Sequence, residues 1–138
     1  MNLAELIIDS HIKALNPIKL IAKKYNISIS QLFCIYSIPY DGISQKELAD
    51  NLSLDISTLS RNLNNLISKK LIIKKKSTFD IRTNIIFLTP TGEQVNTSII
   101  NDINSYFSDI NLLYDENVIE LLINSLSQLN WFLIKKNK

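Results

Sequence analysis

Arginine is scarce in this chain: its 15 basic residues include only two arginines, Arg61 and Arg82. A guanidinium is a flat, two-pronged donor that an ammonium group cannot copy, so the surroundings of these two residues are informative. Arg61 stands among Ser57, Thr58, Ser60 and Asn64. These lie opposite Ile56, Leu59, Leu63 and Leu66, which recur at the three- and four-residue spacing of a helix with one buried face. Small hydroxyls permit close approach to phosphates or base edges. A guanidinium beside them can straddle O6 and N7 of guanine, worth about 1–3 kcal/mol of base discrimination. Arg82 lies two residues after Asp80, a spacing that puts both on one face of extended chain. The carboxylate can then hold the guanidinium in one orientation. An arginine so held at a hairpin tip can enter a narrow minor groove, where the potential is most negative. Lys74, Lys75 and Lys76 precede it and suit phosphate contacts that carry little sequence information.

The charge distribution agrees. The formal net charge is only +2, yet residues 56–89 hold seven cationic side chains against the single acid Asp80. Residues 90–134 contain no Lys or Arg and six acids. One basic patch on a nearly neutral chain points to a polyanion met on one face.

The elements that must position these residues can be read from the same pattern. Gly42, Gly92, Pro17, Pro39 and Pro90 are the only glycines and prolines, so helices should be long and connections short. Residues 3–24 read as helical, with Pro17 either kinking one helix or opening a second. Ser28 or Ser30 caps a short helix that ends before Pro39, and Tyr40-Asp41-Gly42 reads as a turn. Ser44-Gln45-Lys46-Glu47 has the form of a reciprocal capping box, opening a helix with Leu48, Ala49 and Leu52. Ser53-Leu54-Asp55 makes the bend, and Asp55 caps the helix that carries Arg61. Two helices joined in this way are a helix-turn-helix. Leu71–Lys75 and Asn84–Leu88 then read as two strands of a hairpin with Lys76–Thr83 at its tip. Thr89-Pro90 opens a long helix bearing Val95, Ile99, Ile103, Tyr106, Phe107, Ile110 and Leu113. Asp115 or a neighbour caps a last helix bearing Val118, Leu121, Leu122, Leu126, Leu129 and Leu133.

Together these residues resemble the MarR family of bacterial transcription regulators, over essentially the whole chain. The most specific match is Asp80-Ile81-Arg82 followed by Leu88-Thr89-Pro90-Thr91-Gly92, which reproduces the family's wing motif in residue and spacing. Ser44-Gln45-Lys46-Glu47-Leu48-Ala49 and Ser57-Thr58-Leu59-Ser60-Arg61 match its helix-turn-helix. The resemblance implies a mainly α fold with a small β-hairpin, a winged helix-turn-helix reader over 30–89, and dimerisation helices over 1–25 and 90–138 of a single domain. It implies a homodimer on double-stranded DNA at a pseudo-palindromic operator. Arg61 would read the major groove and Arg82 the minor groove, with Ser44, Gln45 and Lys46 near the backbone. Relatives hold aromatic ligands between reader and dimer helices, so a small aromatic effector is an expected partner class, although no residue set here marks its pocket. Repression is the expected sense, because a dimer lying across a promoter blocks polymerase without further surfaces. A dimeric adaptor that binds protein and not DNA is the rival reading. Two residues depart from the family pattern. Lys70 stands where a glycine is usual, which suggests a different helix end. Ile81 stands where a basic residue is common, which puts more of the wing's charge on Arg82.

Other chemistry has little support. His11 is the only histidine and cannot build a metal site or triad with the residues available. It is expected on a helix face near the dimer seam. Cys34 is the only cysteine, set in the apolar run Leu32-Phe33-Cys34-Ile35-Tyr36, and is expected to be buried and inert. No cofactor or metal is expected, nor a membrane span or secretory leader. A cytoplasmic, nucleoid-associated location is the corresponding expectation.

Overall fold

The computed structural model describes residues 1–138. Its elements run α1 (Leu3–Lys24), α2 (Ile29–Ser37), β1 (Ile43–Ser44), α3 (Gln45–Leu52), α4 (Ile56–Ser68), β2 (Ile72–Lys76), β3 (Asn84–Leu88), α5 (Pro90–Phe107), a 3₁₀ turn (Ser108–Leu112) and α6 (Glu116–Lys136). The mainly α architecture with a helix-turn-helix and a β-hairpin is the one expected. No helix is long and apolar enough to cross a membrane. The chain divides into two compact units, Met1–Ile103 and Asn104–Lys138.

The first unit owns the core. Leu32, Cys34, Ile35, Leu48, Leu59, Leu63, Leu66, Ile72, Ile86 and Ile99 are fully buried. The central element is α2, which packs on α1, α3 and α4. Ala22 is also fully buried, with Ile18 and Ile21 packed beside it, so the end of α1 belongs to the reader's core. Pro17 neither ends α1 nor opens a new helix: α1 runs through it. Ser28, not Ser30, caps α2, in a reciprocal box with Gln31. Ile56 is not on the buried face as expected, being 55% exposed. It is the first residue of α4, whereas Leu54 from the preceding turn packs against the core.

Three helices of this unit end in the same way without glycine. Asn26, Ser53 and Lys70 all take positive φ, at 58°, 53° and 61°. After each, two backbone bonds close the helix end. For α4 these run from the Lys70 amide to the Ile67 carbonyl (2.9 Å) and from the Leu71 amide to the Leu66 carbonyl (3.0 Å). This is the Schellman arrangement, which normally favours glycine. Lys70 therefore adopts the left-handed cap, and the helix does not end differently as the missing glycine suggested. The strain, about 1–2 kcal/mol, is outweighed by the buried Leu66 and Leu71 that the motif brings together.

The hairpin is part of a three-stranded antiparallel sheet in the order β1-β3-β2. The short β1 was not foreseen. Ile43 pairs with Ile86 and Ser44 with Ile85, while β2 begins one residue later than the pattern suggested. Because Ser44 also belongs to β1, the expected reciprocal box at α3 is half formed. The Ser44 hydroxyl accepts from the Glu47 amide (3.1 Å) and donates to the Glu47 carboxylate (3.2 Å), which does not reach back to the Ser44 amide.

The start of α5 is bolted to the end of α4. The Thr89 hydroxyl donates to the Lys70 carbonyl (2.7 Å) and accepts from the Gly92 amide (3.0 Å). The Thr89 amide donates to the Leu71 carbonyl (3.0 Å). At Gly92 a Cβ would sit 1.9 Å from that same carbonyl oxygen, so only glycine permits this approach. Near the other end of the unit, Asp102 on α5 accepts from the Tyr25 hydroxyl (2.6 Å) and Lys24 Nζ (2.9 Å). These bonds hold the Asp102 carboxyl below its usual range. Burial, then the bond to Asp102, raises the Tyr25 hydroxyl pKa.

The second unit contains the last turn of α5, the 3₁₀ turn and α6. The helix expected to continue through Leu113 stops at Phe107, and Ile110 falls in the 3₁₀ turn. Asp115 caps α6 through the Val118 amide (3.0 Å). No residue of this unit is buried.

Candidate nucleic-acid interface

The helix-turn-helix presents the N-terminal turns of α4, and their polar side chains form one connected network. Asp55 accepts from the Thr58 amide (2.7 Å), the Ser57 hydroxyl (2.7 Å) and the Thr58 hydroxyl (2.9 Å). These donors, the Ser57 hydroxyl first, lower the Asp55 carboxyl to about 2. Arg61 Nη2 makes a long contact to the Thr58 hydroxyl (3.4 Å), which leans the guanidinium toward the start of the helix. Both hydroxyl protons are thus committed to the cap. To donate to a phosphate, Ser57 or Thr58 must first release Asp55.

The expected reader residues do not all face outward. Ser57, Arg61 and Asn64 are exposed, while Thr58 and Ser60 are half-buried. Ser60 turns toward α3, where its hydroxyl accepts from Gln45 Nε2 (3.0 Å). Gln45 and Ser60 therefore fix the angle between the two helices of the motif. A second tie, from Asn62 Nδ2 to the Ser30 hydroxyl (2.7 Å), fixes α4 to the start of α2. Nothing in the sequence marked either bond, because each joins side chains from different helices. Ser44 is held by Glu47, as above, and Lys46 is exposed.

At the wing, Asp80 and Arg82 do pair, but not across an extended strand. Residues 80–83 form a tight turn closed by the Thr83 amide on the Asp80 carbonyl (2.9 Å). The Asp80 carboxylate accepts from the Arg82 amide (3.0 Å) and from Arg82 Nε (3.2 Å). Those two donors, the amide first, lower its pKa. The side-chain pairing expected of a strand is thus achieved by an aspartate turn, a motif that aspartate favours at this position. The two terminal guanidinium nitrogens stay free, and the Arg82 side chain is 88% exposed.

The three wing lysines are exposed but divided. Lys74 and Lys76 pair with Ile86 and Asn84, while Lys75 pairs with Ile85, so alternation puts Lys75 on the opposite face. There Lys75 Nζ lies over the Phe87 ring at 5.6 Å. A further basic surface went unrecognised in the sequence. Lys19, Lys23 and Lys69 line an open hollow of ≈ 530 Å³ beside Asn26, Ser28 and Asn65. Its cations come from α1 and α4, some 50 residues apart, which hides the grouping from any local reading.

Neither lone reactive side chain adds chemistry. His11 is exposed on α1. Cys34 is buried, and burial pushes its thiol up to about 11, which leaves it protonated and unreactive.

Residues 16–103 match the family model for the transcriptional regulators SarA and Rot. The match spans the end of α1, α2, both reader helices, the wing and most of α5. The protein belongs to this SarA/Rot family. Its fold is that of the MarR-type winged-helix regulators. Wild-type MarR from E. coli superposes with a TM-score of 0.81 at 20% identity, covering 94% of this chain and 97% of that one. NadR in complex with 4-hydroxyphenylacetate gives 0.78 at 19% identity, covering 94% and 92%. MepR, a regulator of the Staphylococcus aureus multidrug efflux pump MepA, gives 0.73 at 20%, covering 96% and 99%. No curated protein sequence matches the chain. The SarA/Rot protein is thus a winged-helix transcriptional regulator, with α4 in the place of the recognition helix and β2–β3 as the wing.

Proposed function

We propose that this SarA/Rot regulator is a homodimer that binds a pseudo-palindromic site on double-stranded DNA in the cytoplasm and represses the adjoining promoter. One observation carries the reading: both arginines of the chain are exposed on the reader, and each leans on a neighbouring side chain, Arg61 on Thr58 and Arg82 on Asp80. Side chains held in this way lose less freedom on docking than free ones. Arg61, Ser57 and Asn64 meet base edges in the major groove, and Arg82 enters the minor groove. Lys74, Lys76 and Lys46 contact phosphates, while Lys75 lies on the opposite face of β2. Gln45, Ser60 and Thr58 act from behind by setting the pose of α4. The exposed apolar side chains of α6 supply the dimer surface. A small aromatic acid is the effector class in keeping with the NadR complex.

Selection of bound duplexes from a random pool tests this directly, since a symmetric site with half-sites about one helical turn apart is expected. Arg61→Ala should relax base preference at one position per half-site, by about 1–3 kcal/mol. Arg82→Ala should weaken binding mainly at sites with a narrow minor groove. About six phosphate contacts per dimer would cost ~10³ in affinity between 50 and 200 mM salt. No enriched sequence and a flat salt titration would favour the adaptor reading.

A further inference from the structure

The wing tip is apolar as well as charged. Phe79 is 100% exposed and Ile81 76% exposed, and they flank Asp80 in the loop between β2 and β3. Water gains nothing from a phenyl ring held in this position, and the chain itself offers the ring no cover.

The tip is not a loose loop. The Ser77 hydroxyl accepts from the Phe79 amide (3.1 Å) and the Asp80 amide (3.4 Å). The Ser77 amide donates to the Thr83 carbonyl (2.8 Å), and the Thr83 amide closes the turn on Asp80. Asp80 in turn holds Arg82. The backbone that presents Phe79 and Ile81 is therefore tied at four points before any partner arrives. Behind it β2 carries Lys74, Lys75 and Lys76, while the one acid at the tip is engaged by Arg82. Such a surface fits an anionic partner with an apolar slot between its charged edges. The minor groove of DNA has that character: two phosphate ridges enclose sugar faces and stacked bases.

We propose that Phe79 and Ile81 form an apolar wedge that enters the minor groove beside Arg82 and bends the duplex at a deformable base step. This rests on the wing being a DNA-contacting element, as proposed above. Opening a step costs stacking energy, least at pyrimidine–purine steps such as TA. The wedge therefore reads flexibility, and it gives the protein a preference at positions where it makes no hydrogen bond to a base. Exposed Ile81 beside Arg82 thus adds deformability to what the wing senses.

The test uses the full-length protein and its selected duplex, with a TA step or a stiff A-tract at the wing position. Bend angle is followed by energy transfer between the duplex ends, and affinity is followed against salt. Phe79→Ala combined with Ile81→Ala should bind the TA duplex about tenfold more weakly, because burial of two side chains is largely offset by unstacking. It should lose most of the bend and the preference for TA over the A-tract, with an unchanged salt slope. Arg82→Ala should instead make the slope shallower by about one per protomer. Both substituted residues are exposed, so folding is not at stake. An equal bend and an equal step preference in the double variant would overturn the wedge while leaving DNA binding intact. Failure of the wild-type protein to bind any duplex would remove both readings. Loss of binding to anionic phosphatidylglycerol vesicles in the double variant, with DNA bending unaltered, would assign the tip to a lipid surface and overturn the wedge as well.

Discussion

The two units of this protein bury their apolar residues to opposite degrees. Met1–Ile103 encloses a continuous core in which Leu59, Leu63, Leu66, Ile86 and Ile99 are fully covered. Asn104–Lys138 encloses nothing: Leu121, Ile123, Leu126, Trp131, Phe132 and Ile134 are all more than half exposed. Sequence composition does not explain the contrast, because both units carry apolar residues at helical spacing. Geometry does. In the first unit α1, α3 and α4 pack on α2 and the sheet packs on α3 and α4, so the reader's apolar faces meet one another, while Leu3, Leu6, Ile8 and Ile12 at the start of α1 stay exposed. In the second, α6 has only a short turn and the end of α5 from its own unit, and a hairpin of that size cannot cover so large an apolar face. The first unit has a core of its own, and in the proposed homodimer a second copy covers the exposed face of the other.

The largest effect should come from breaking that completion. Leu122→Glu with Leu126→Glu places charge on the face of α6. It is expected to give monomers by sedimentation and to lower affinity for the full operator by about 10²–10⁴-fold, because bivalent binding is lost. The reader's own structure should persist. If the double variant remains dimeric, the second unit is not the dimer surface.

The same comparison is sharpened inside the reader. Leu63→Ala should cost about 2–5 kcal/mol in denaturant unfolding, independently of protein concentration. A concentration-dependent loss there would mean that the reader's core is shared between copies. Gly92→Ala should cost about 3 kcal/mol, since the added methyl meets the Leu71 carbonyl at 1.9 Å and α5 must move off α4. An unchanged midpoint for this variant would refute the close approach. Lys70→Gly should stabilise the reader by about 1 kcal/mol by relieving the positive φ, while removing one cation. Destabilisation would show that Lys70 is needed for its side chain.

The smallest effect concerns pH. Asp102 has a folded pKa below its unfolded value of about 3.9. Its bonds to Tyr25 and Lys24 therefore stabilise fully above that value and are lost as pH falls through the lower, folded pKa. Asp102→Asn should flatten the acid side of a melting-temperature profile between pH 2 and pH 6 and leave the neutral region little changed in slope. A profile identical to wild type would show that the α1–α5 tie carries no net stability.

Much of the site was legible because it depends on local rules. Asp55 caps α4 because an aspartate before an apolar-periodic run satisfies free amides wherever it occurs. Thr89-Pro90 opens α5 for similar reasons. The order of the helices and of the two hairpin strands followed from period, caps and breakers, whereas the two-residue β1 had no such signal. What was misread involved residues in two roles at once, or pairs brought together from a distance. Ser44 is both a cap and a strand residue, which only the sheet shows. Ser60 has the right spacing to face solvent, yet Gln45 on another helix draws it inward. The Asp80–Arg82 pair was found by type and spacing, but the turn that makes it depends on how the two strands close.

The sequence alone determined where helices begin, which faces are apolar, and that the guanidinium groups sit at the reader helix and the wing. Capping, periodicity and charge act over a few residues and survive in any context. The tertiary structure alone decided which apolar faces would be satisfied within one chain, and that Lys70 would endure a left-handed backbone. It also decided that Lys19, Lys23 and Lys69 would share one hollow. Each of these is settled by the balance of burial against strain or repulsion among residues far apart in sequence, and that balance exists only once the chain has folded.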